Sequence, residues 1–224
     1  MSSMFENAES FNQPLDSWNV SNVTNMNGMF TQAKNFNQTL EKWDVSNVTR
    51  MSGMFEKAKA FNQPLEKWDV SNVTNMSRMF AEAKSFNQPL YSWNVSNVTN
   101  INGMFTQAKN FNQTLEKWDV SNVTDMSNMF AEAKSFNQPL NNWDVSGVKP
   151  KDEWDVEELS CMFNGCVRYN QPMNNWDISK IKYFKSMFED CFSFNQPLDK
   201  WQIMRLANID NYFQFSDRWN SKIP

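Results

Sequence analysis

The stretch Phe61–Met76 reads FNQPLEKWDVSNVTNM, and close copies of it recur every 25 residues along the chain. The first six copies each open with Phe-Asn-Gln and carry a Trp two residues before a Val. The register is interrupted once, and it resumes at Tyr169 and Trp176 and again at Phe194 and Trp201. A fixed period of this length is typical of a solenoid, in which each repeat buries its apolar face against the next.

Within one repeat, the apolar spacing predicts first a strand and then a helix. Leu15, Trp18 and Val20 match the Leu-x-x-Leu-x-Leu spacing of a leucine-rich-repeat strand. The apolar residues that follow, at intervals of three and four, predict a helix over residues 25–34 with Thr24 as its N-terminal cap. One repeat is thus expected to be a short strand, a turn and a short helix.

Stacked repeats of this kind predict an α/β solenoid, a leucine-rich-repeat-like right-handed superhelix of 25-residue strand-turn-helix coils with a parallel sheet. Leu, Trp, Val, Met, Phe and Ala are expected to form interior columns. The Asn of each Phe-Asn-Gln is expected to form a ladder that satisfies backbone groups between coils. The ladder consists of Asn12, Asn37, Asn62, Asn87, Asn112, Asn137, Asn170 and Asn195.

The chain is expected to be a single domain. Residues 1–203 form the solenoid, with an eight-residue insertion at about 147–154, and residues 204–224 form a C-terminal cap where the pattern decays. The insertion, with a helix-like run over 155–163 after it, is expected to bulge without breaking the stack. Its functional interpretation is a partner-contact element, and the alternative is a tolerated loop.

Composition argues against several classes of function. The net charge of -4 is mild and Lys and Arg are scattered singly, which predicts no nucleic-acid partner. No apolar run is long enough to span a bilayer, so direct membrane insertion is not expected. The sequence has no His and no Gly-rich phosphate loop. We therefore expect no enzymatic activity, no cofactor and no metal.

Three cysteines fall late in the chain. Cys166 and Cys191 occupy the slot that Ala33 and its equivalents hold in earlier repeats. Small buried thiols are the favoured interpretation. A disulfide between these two adjacent coils is the alternative in an oxidising compartment.

The repeat motif Met-Phe-x-x-Ala-x-x-Phe-Asn-Gln-x-Leu-x-x-Trp-x-Val-Ser-Asn-Val-Thr-x-Met covers nearly the whole chain. It resembles the BspA-like leucine-rich-repeat proteins, most of all their mycoplasma-type surface-lipoprotein repeat. The resemblance implies a leucine-rich-repeat-like solenoid and an interaction role at the cell surface or in secreted form. It supplies no catalytic residues, and no signal peptide or lipobox is recognisable in these residues.

The favoured function is a non-enzymatic scaffold for protein–protein interaction, acting in recognition or adhesion. The x positions of Leu-x-x-Trp-x-Val are expected to point outward, and they differ between repeats while the core positions barely differ. The candidate binding residues on this face are Glu41, Lys42, Asp44, Glu66, Lys67, Asp69, Tyr91, Asn94, Glu116, Lys117 and Asp119. The bland alternative is sequence drift at unconstrained positions.

Two regular polar columns offer further alternatives. A column of exposed threonines, explained more simply by helix capping, is compatible with a passive structural or ice-binding solenoid; it consists of Thr24, Thr49, Thr74, Thr99 and Thr124. A column of aspartates is compatible with calcium binding, or with a solvated face and local turn hydrogen bonds. It consists of Asp44, Asp69, Asp119, Asp144 and Asp177.

The first coil is expected to present an open edge, because the chain begins at Met1–Phe5 in the middle of a repeat. Leu15, Trp18 and Val20 would lie beside unpaired backbone groups, and such an edge templates pairing with another chain. We expect either that earlier coils of a longer protein cover this edge, or that a two-fold homodimer forms through the N-terminal coil.

Overall fold

The computed structural model of the chain describes residues 1–149, 159–181 and 185–201. The 25-residue repeats lie on one another as layers, and equivalent residues of successive layers are in contact. Phe30, Phe55 and Phe80, for example, stack with ring centroids 5.5 and 5.6 Å apart. The tandem repeat predicted from the sequence is confirmed.

The predicted α/β class is wrong, because the described residues contain no helix and no strand beyond single bridge residues. The segment predicted as a helix is a chain of tight turns. Met79 N–H donates to Met76 O at 3.2 Å, and Ala83 N–H donates to Phe80 O at 3.0 Å. These bonds span three residues, whereas an α-helix requires bonds that span four.

Alternate amides of this segment donate to the next layer instead of to their own. Phe80 N–H donates to Met104 O at 2.9 Å, and Glu82 N–H donates to Thr106 O at 2.7 Å. In a helix these amides would be consumed within the segment. The layers are therefore joined by backbone hydrogen bonds at every second residue.

Two residues per layer adopt the left-handed conformation, which prevents a right-handed helix from propagating. The first position is glycine in three layers, at Gly28, Gly53 and Gly103, with φ of 59° to 62°. Arg78 adopts the same conformation without glycine's freedom, at φ 56°. The second position is never glycine before the insertion, and it is held by Asn7, Gln32, Lys57, Glu82, Gln107 and Glu132.

The predicted strand, Leu15 to Val20 and its equivalents, is also absent. A turn closes there instead, since Trp68 N–H donates to Leu65 O at 3.0 Å. The parallel bridges that do occur lie inside the segment predicted as helix, at Asn25, Arg50, Asn75, Asn100 and Asp125. A leucine-rich-repeat-like superhelix with a continuous parallel sheet is thus excluded for the described residues.

The interior columns form as predicted, although the backbone that carries them does not adopt the predicted helix and strand. Nine apolar positions are buried in each inner layer before the insertion, and in one such layer they are Met51, Met54, Phe55, Ala58, Phe61, Leu65, Trp68, Val70 and Val73. Within a layer the two phenylalanines stack face to face, with 4.0 Å between the centroids of Phe55 and Phe61. Burial of this apolar surface is the main favourable contribution to folding.

Two polar columns connect the layers through side chains. Each buried Trp donates its indole N–H to the Leu or Met carbonyl of the preceding layer, as Trp68 does to Leu40 O at 3.0 Å. The predicted Asn ladder is confirmed, since Asn62 N–H donates to Asn37 Oδ1 and Asn87 N–H to Asn62 Oδ1, both at 2.9 Å. Each ladder Asn from Asn12 to Asn170 therefore satisfies a backbone amide in the layer that follows.

The stack continues across the insertion, as predicted. Phe130 N–H donates to Met162 O at 2.9 Å, and the rings of Phe136 and Tyr169 stack at 5.9 Å. Residues 150–158 of the insertion and its helix-like run, and the whole predicted cap at 204–224, lie outside the described residues.

The late thiols are buried and unbonded to each other. Cys166 and Cys191 occupy the alanine slot, and their Sγ atoms donate to Phe130 O at 2.8 Å and to Phe163 O at 2.7 Å. Burial raises the pKa of Cys191 to about 12. The prediction of small buried thiols is confirmed.

Candidate interaction surface

The candidate binding residues lie together on one surface, here called the charged face. It consists of Glu41, Lys42, Asp44, Glu66, Lys67, Asp69, Tyr91, Asn94, Glu116, Lys117 and Asp119. All of them are exposed except Glu41 and Glu66, which are half-buried. The outward orientation that we predicted holds, but its cause is a turn and not the alternation of a strand.

A turn places the two residues between the Leu and the Trp of each layer on the charged face. Trp43 N–H donates to Leu40 O at 3.0 Å, so Glu41 and Lys42 are the two central residues of a turn. Leu40 and Trp43 are anchored in the core on either side. A turn held between two buried side chains presents its central residues to solvent.

Ion pairs run between layers along the charged face. Lys67 Nζ lies 2.8 Å from Glu41 Oε1, and Lys42 Nζ lies 3.6 Å from Asp16 Oδ2. The hydrogen bond to Glu41 raises the pKa of Lys67. Because these groups are exposed, each pair contributes little to stability. They hold long side chains in place on the surface.

Tyr91 interrupts this charged pattern at the middle of the face. It takes the position that Glu66 and Glu116 hold in the layers before and after it, and its side chain is 46% exposed. Hydrogen bonding to Glu66 raises the pKa of Tyr91. Large exposed hydrophobic side chains are few among the described residues, and the others are Met4, Trp18 and Phe192.

The aspartate column is engaged in local turns. Asp44 Oδ1 accepts hydrogen bonds from Ser46 N–H at 3.1 Å and from Ser46 Oγ at 2.6 Å. Asn94 makes the same two bonds to Ser96. Hydrogen bonds from serine lower the pKa of Asp44, and also those of Asp69, Asp144 and Asp177. Among the described residues, no group of three or more acidic or thiol side chains is arranged to hold a metal ion.

The threonine column joins layers and does not cap helices. Thr49 donates both its amide, at 2.9 Å, and its hydroxyl, at 3.1 Å, to Thr24 O. Thr74, Thr99 and Thr124 repeat the arrangement. The capping role that we predicted is therefore wrong, since no helix is present for these residues to cap.

Two shallow depressions extend the charged face beyond the predicted residues. One, of about 330 Å³, is lined by Asn141, Asn142, Trp143, Asp144, Asn175 and Asp177. The next, of about 380 Å³, is lined by Asn175, Trp176, Asp177, Ile178, Ser179 and Lys200. The 25-residue period, together with the eight-residue shift at the insertion, places Asn141 and Asp144, and then Asn175 and Asp177, among the outward x positions of Leu-x-x-Trp-x-Val, so the sequence contained the signal for them.

The first layer presents apolar side chains to solvent. Met4 is 53% exposed and Trp18 is 36% exposed, whereas Phe5 and Phe11 are half-buried. The homodimer through this edge stays a prediction. None of the described segments forms an apolar helix of the length that a bilayer requires.

Comparison with known proteins identifies the repeat. The sequence profile described as "Mycoplasma protein of unknown function, DUF285" matches residues 1–106, 87–153 and 151–224. No curated protein is similar to the chain. One solved structure, described as the Toll–Spatzle complex of Drosophila, aligns at 14% identity and a TM-score of 0.27 over 66% of this chain and 23% of that one.

The profile matches extend over the full length of the sequence in three overlapping segments. They support the mycoplasma-type repeat, whereas the BspA-like leucine-rich-repeat assignment stays a prediction. The chain therefore belongs to the DUF285 family of Mycoplasma proteins.

Proposed function

We propose that the protein is a non-enzymatic repeat scaffold that binds a protein partner through the charged face. We place it at the cell surface or in secreted form, which rests on the resemblance to surface repeats. The observation that carries the proposal is the exposed Tyr91, set among charged residues at the middle of the face.

Tyrosine is among the residues that dominate binding energy at protein interfaces, because it contributes large contact area and a polar group at low entropic cost. Glu66, Lys67, Glu116 and Lys117 flank Tyr91 in the neighbouring layers. An aromatic centre with a polar rim is the usual anatomy of a protein interface.

The contrast between core and face also supports this function. The nine core positions of the layers before the insertion carry nearly the same residues, whereas the turn before each Trp of these layers carries Glu-Lys, Asp-Ser, Tyr-Ser or Asn-Asn. Exposed positions that vary around a nearly constant core suit recognition. The depressions at Asn141–Asp144 and Asn175–Lys200 add concave surface to the same face.

The test is affinity capture with a matched pair of variants. Tyr91→Ala removes the proposed anchor, and Phe192→Ala removes another aromatic side chain, 59% exposed, that lies off the charged face. We expect a captured protein whose affinity falls by about tenfold or more with Tyr91→Ala and is unchanged with Phe192→Ala. If every captured protein binds Tyr91→Ala as tightly as the parent chain, the proposal is wrong.

A further inference from the structure

The layers bring five lysines that are isolated along the chain into a single column. Lys34, Lys59, Lys84, Lys109 and Lys134 are separated by 25 residues each and occupy the same position in successive layers. We call this set the lysine column. It is separate from the charged face, whose lysines are Lys42, Lys67 and Lys117.

Backbone hydrogen bonds fix the register of the lysine column. Lys34 O accepts from Ala60 N–H at 3.0 Å, and Lys59 O accepts from Ser85 N–H at 3.2 Å. Backbone segments of successive layers that are joined in this way lie about 4.8 Å apart, so the five lysines extend over about 19 Å. The result is a row of cations, one in each of five successive layers.

Among the described residues, most of this positive charge has no ion-pair partner. Lys34 pairs with Glu9 at 2.6 Å, but among the described residues no ion pair involves the other four lysines of the column. Like charges in neighbouring layers repel one another. An anionic ligand along the row would remove that repulsion.

Three glutamates of the same layers bind other residues and not the column lysines. Glu56 accepts two hydrogen bonds from Arg78, at 2.7 and 3.2 Å. Glu82 pairs with Lys57 at 3.7 Å, and Glu132 accepts from Gln107 at 3.3 Å. These three glutamates therefore already have partners that do not belong to the lysine column.

We propose that the lysine column binds a linear sulfated polysaccharide that lies along the stack axis. A single row of cations matches a polymer whose anionic groups repeat in one dimension. This binding site goes beyond the protein-binding function of the charged face and does not depend on it.

The side chains beside the column favour a polysaccharide over a nucleic acid. Proteins that bind single strands interleave aromatic side chains with cations so that bases stack on them. Here the residue after each lysine is Asn35, Ala60, Ser85, Asn110 or Ser135. Except at Ala60, these side chains carry amide or hydroxyl groups, which donate to and accept from sugar hydroxyls.

The same surroundings favour a polymer over an anionic membrane. The described layers that carry the five lysines have no exposed large apolar side chain beside the column that could enter a bilayer. After the insertion, the position of the column lysines is held by Val167 and then by Phe192, so the row of cations ends there.

The experiment measures binding of the full chain to heparin over a series of salt concentrations. A triple variant, Lys59→Gln, Lys84→Gln and Lys109→Gln, removes the centre of the column. Its matched control, Lys42→Gln, Lys67→Gln and Lys117→Gln, removes the same charge from the charged face. Circular dichroism and the melting temperature verify that both variants fold.

We expect the column variant to lose affinity for heparin by about tenfold to 100-fold, and the slope of log Kd against log salt to fall by about 2. The control variant should stay within about twofold of the parent chain. Equal losses in both variants, or no heparin binding at low salt, would overturn the proposal. So would tighter binding of a single-stranded oligonucleotide or of phosphatidylserine vesicles than of heparin.

A gain-of-affinity variant keeps the test independent of folding defects. Glu9→Lys extends the column by one layer and releases Lys34 from its ion pair. We expect this variant to bind heparin more tightly than the parent chain, which an unfolded protein could not imitate. Unchanged or weaker binding by a folded Glu9→Lys variant would contradict the proposal.

Discussion

The first layer and the inner layers share one sequence pattern but differ in what covers their tryptophan. Trp18 is 36% exposed, whereas Trp43 and Trp68 are 3% exposed. Trp68 packs against Phe55 of its layer and donates its indole N–H to Leu40 O of the layer before. The comparison teaches that each layer completes its core with groups from its neighbour, as expected of a repeat protein.

The largest effect that we predict is at the inner tryptophan. Trp68→Ala leaves a cavity and removes the donor to Leu40 O, and should lower the free energy of unfolding by about 3–5 kcal/mol. Trp18→Ala should cost much less, since its side chain is already partly in water. Urea titrations of both variants check this. Equal costs would mean that neighbouring layers do not complete the core.

The Asn ladder provides a second test of coupling between layers. Asn87→Ala removes the oxygen that accepts from Asn112 N–H at 2.9 Å and from Gln113 Nε2 at 3.1 Å. An unsatisfied amide costs about 1–3 kcal/mol. The control is Asn110→Ala, an exposed position that should cost less than about 0.5 kcal/mol. If Asn87→Ala loses less stability than its control, the Asn ladder does not couple the layers.

The third prediction is that a substitution at Tyr169, in the layers after the insertion, increases the stability of the protein. Its hydroxyl is buried and has no hydrogen-bond partner among the described residues, in a slot that holds Phe111 and Phe136 in earlier layers. Burial raises the pKa of this hydroxyl well above its usual value. Tyr169→Phe should therefore stabilise the protein by about 1 kcal/mol, measured by urea titration. The reverse change, Phe136→Tyr, should destabilise it, and a loss of stability in Tyr169→Phe would show that the hydroxyl has a partner.

The smallest effect concerns the aspartate turns. Hydrogen bonds from serine lower the pKa of Asp44, Asp69, Asp144 and Asp177 below the ordinary 3.8. A lowered pKa in the folded state stabilises it above the unfolded pKa, and that contribution is lost as the pH falls through the folded value. Stability should thus decline between about pH 4 and pH 2.

A quadruple Asp→Asn variant isolates this contribution. Asn94 makes the same turn bonds as the aspartates, so the variant should keep the stability of the parent chain at pH 7. Its melting temperature should depend less on pH in the acidic range. An unchanged acid dependence would assign the decline to other carboxylates.

The sequence predicted the columns correctly and the backbone wrongly, for one physical reason. Intervals of three and four between apolar residues bring Met76, Met79 and Phe80 to one side in an α-helix, and they do so equally in a chain of three-residue turns. The distinguishing signal was present in the glycines. Gly28, Gly53 and Gly103 fall in the middle of the predicted helix, where glycine is unfavourable and marks a left-handed residue.

The strand was mispredicted for a related reason. The Leu-x-x-Trp spacing was matched to a leucine-rich-repeat strand, yet a turn between Leu65 and Trp68 buries the same two side chains and exposes the same two between them. The exposure of the candidate residues could therefore be predicted without the correct backbone. Their binding partner could not, because exposed residues carry no constraint from the core.

The lysine column was missed because charge was evaluated along the chain and not along the stack. Lys59, Lys84 and Lys109 are isolated in the sequence, but the 25-residue period places them in adjacent layers. The same period that revealed the aromatic columns would have revealed this one.

The central claim is that the repeat is a layer of turns hydrogen-bonded to its neighbours, and not a strand and a helix. Scalar couplings across hydrogen bonds, measured by NMR, test this directly at Phe55. We predict a coupling between Phe55 N and the carbonyl carbon of Met79, whose oxygen lies 2.8 Å from that nitrogen. A coupling from Phe55 N to the carbonyl carbon of Met51, four residues earlier in the same repeat, would indicate a helix and contradict the account.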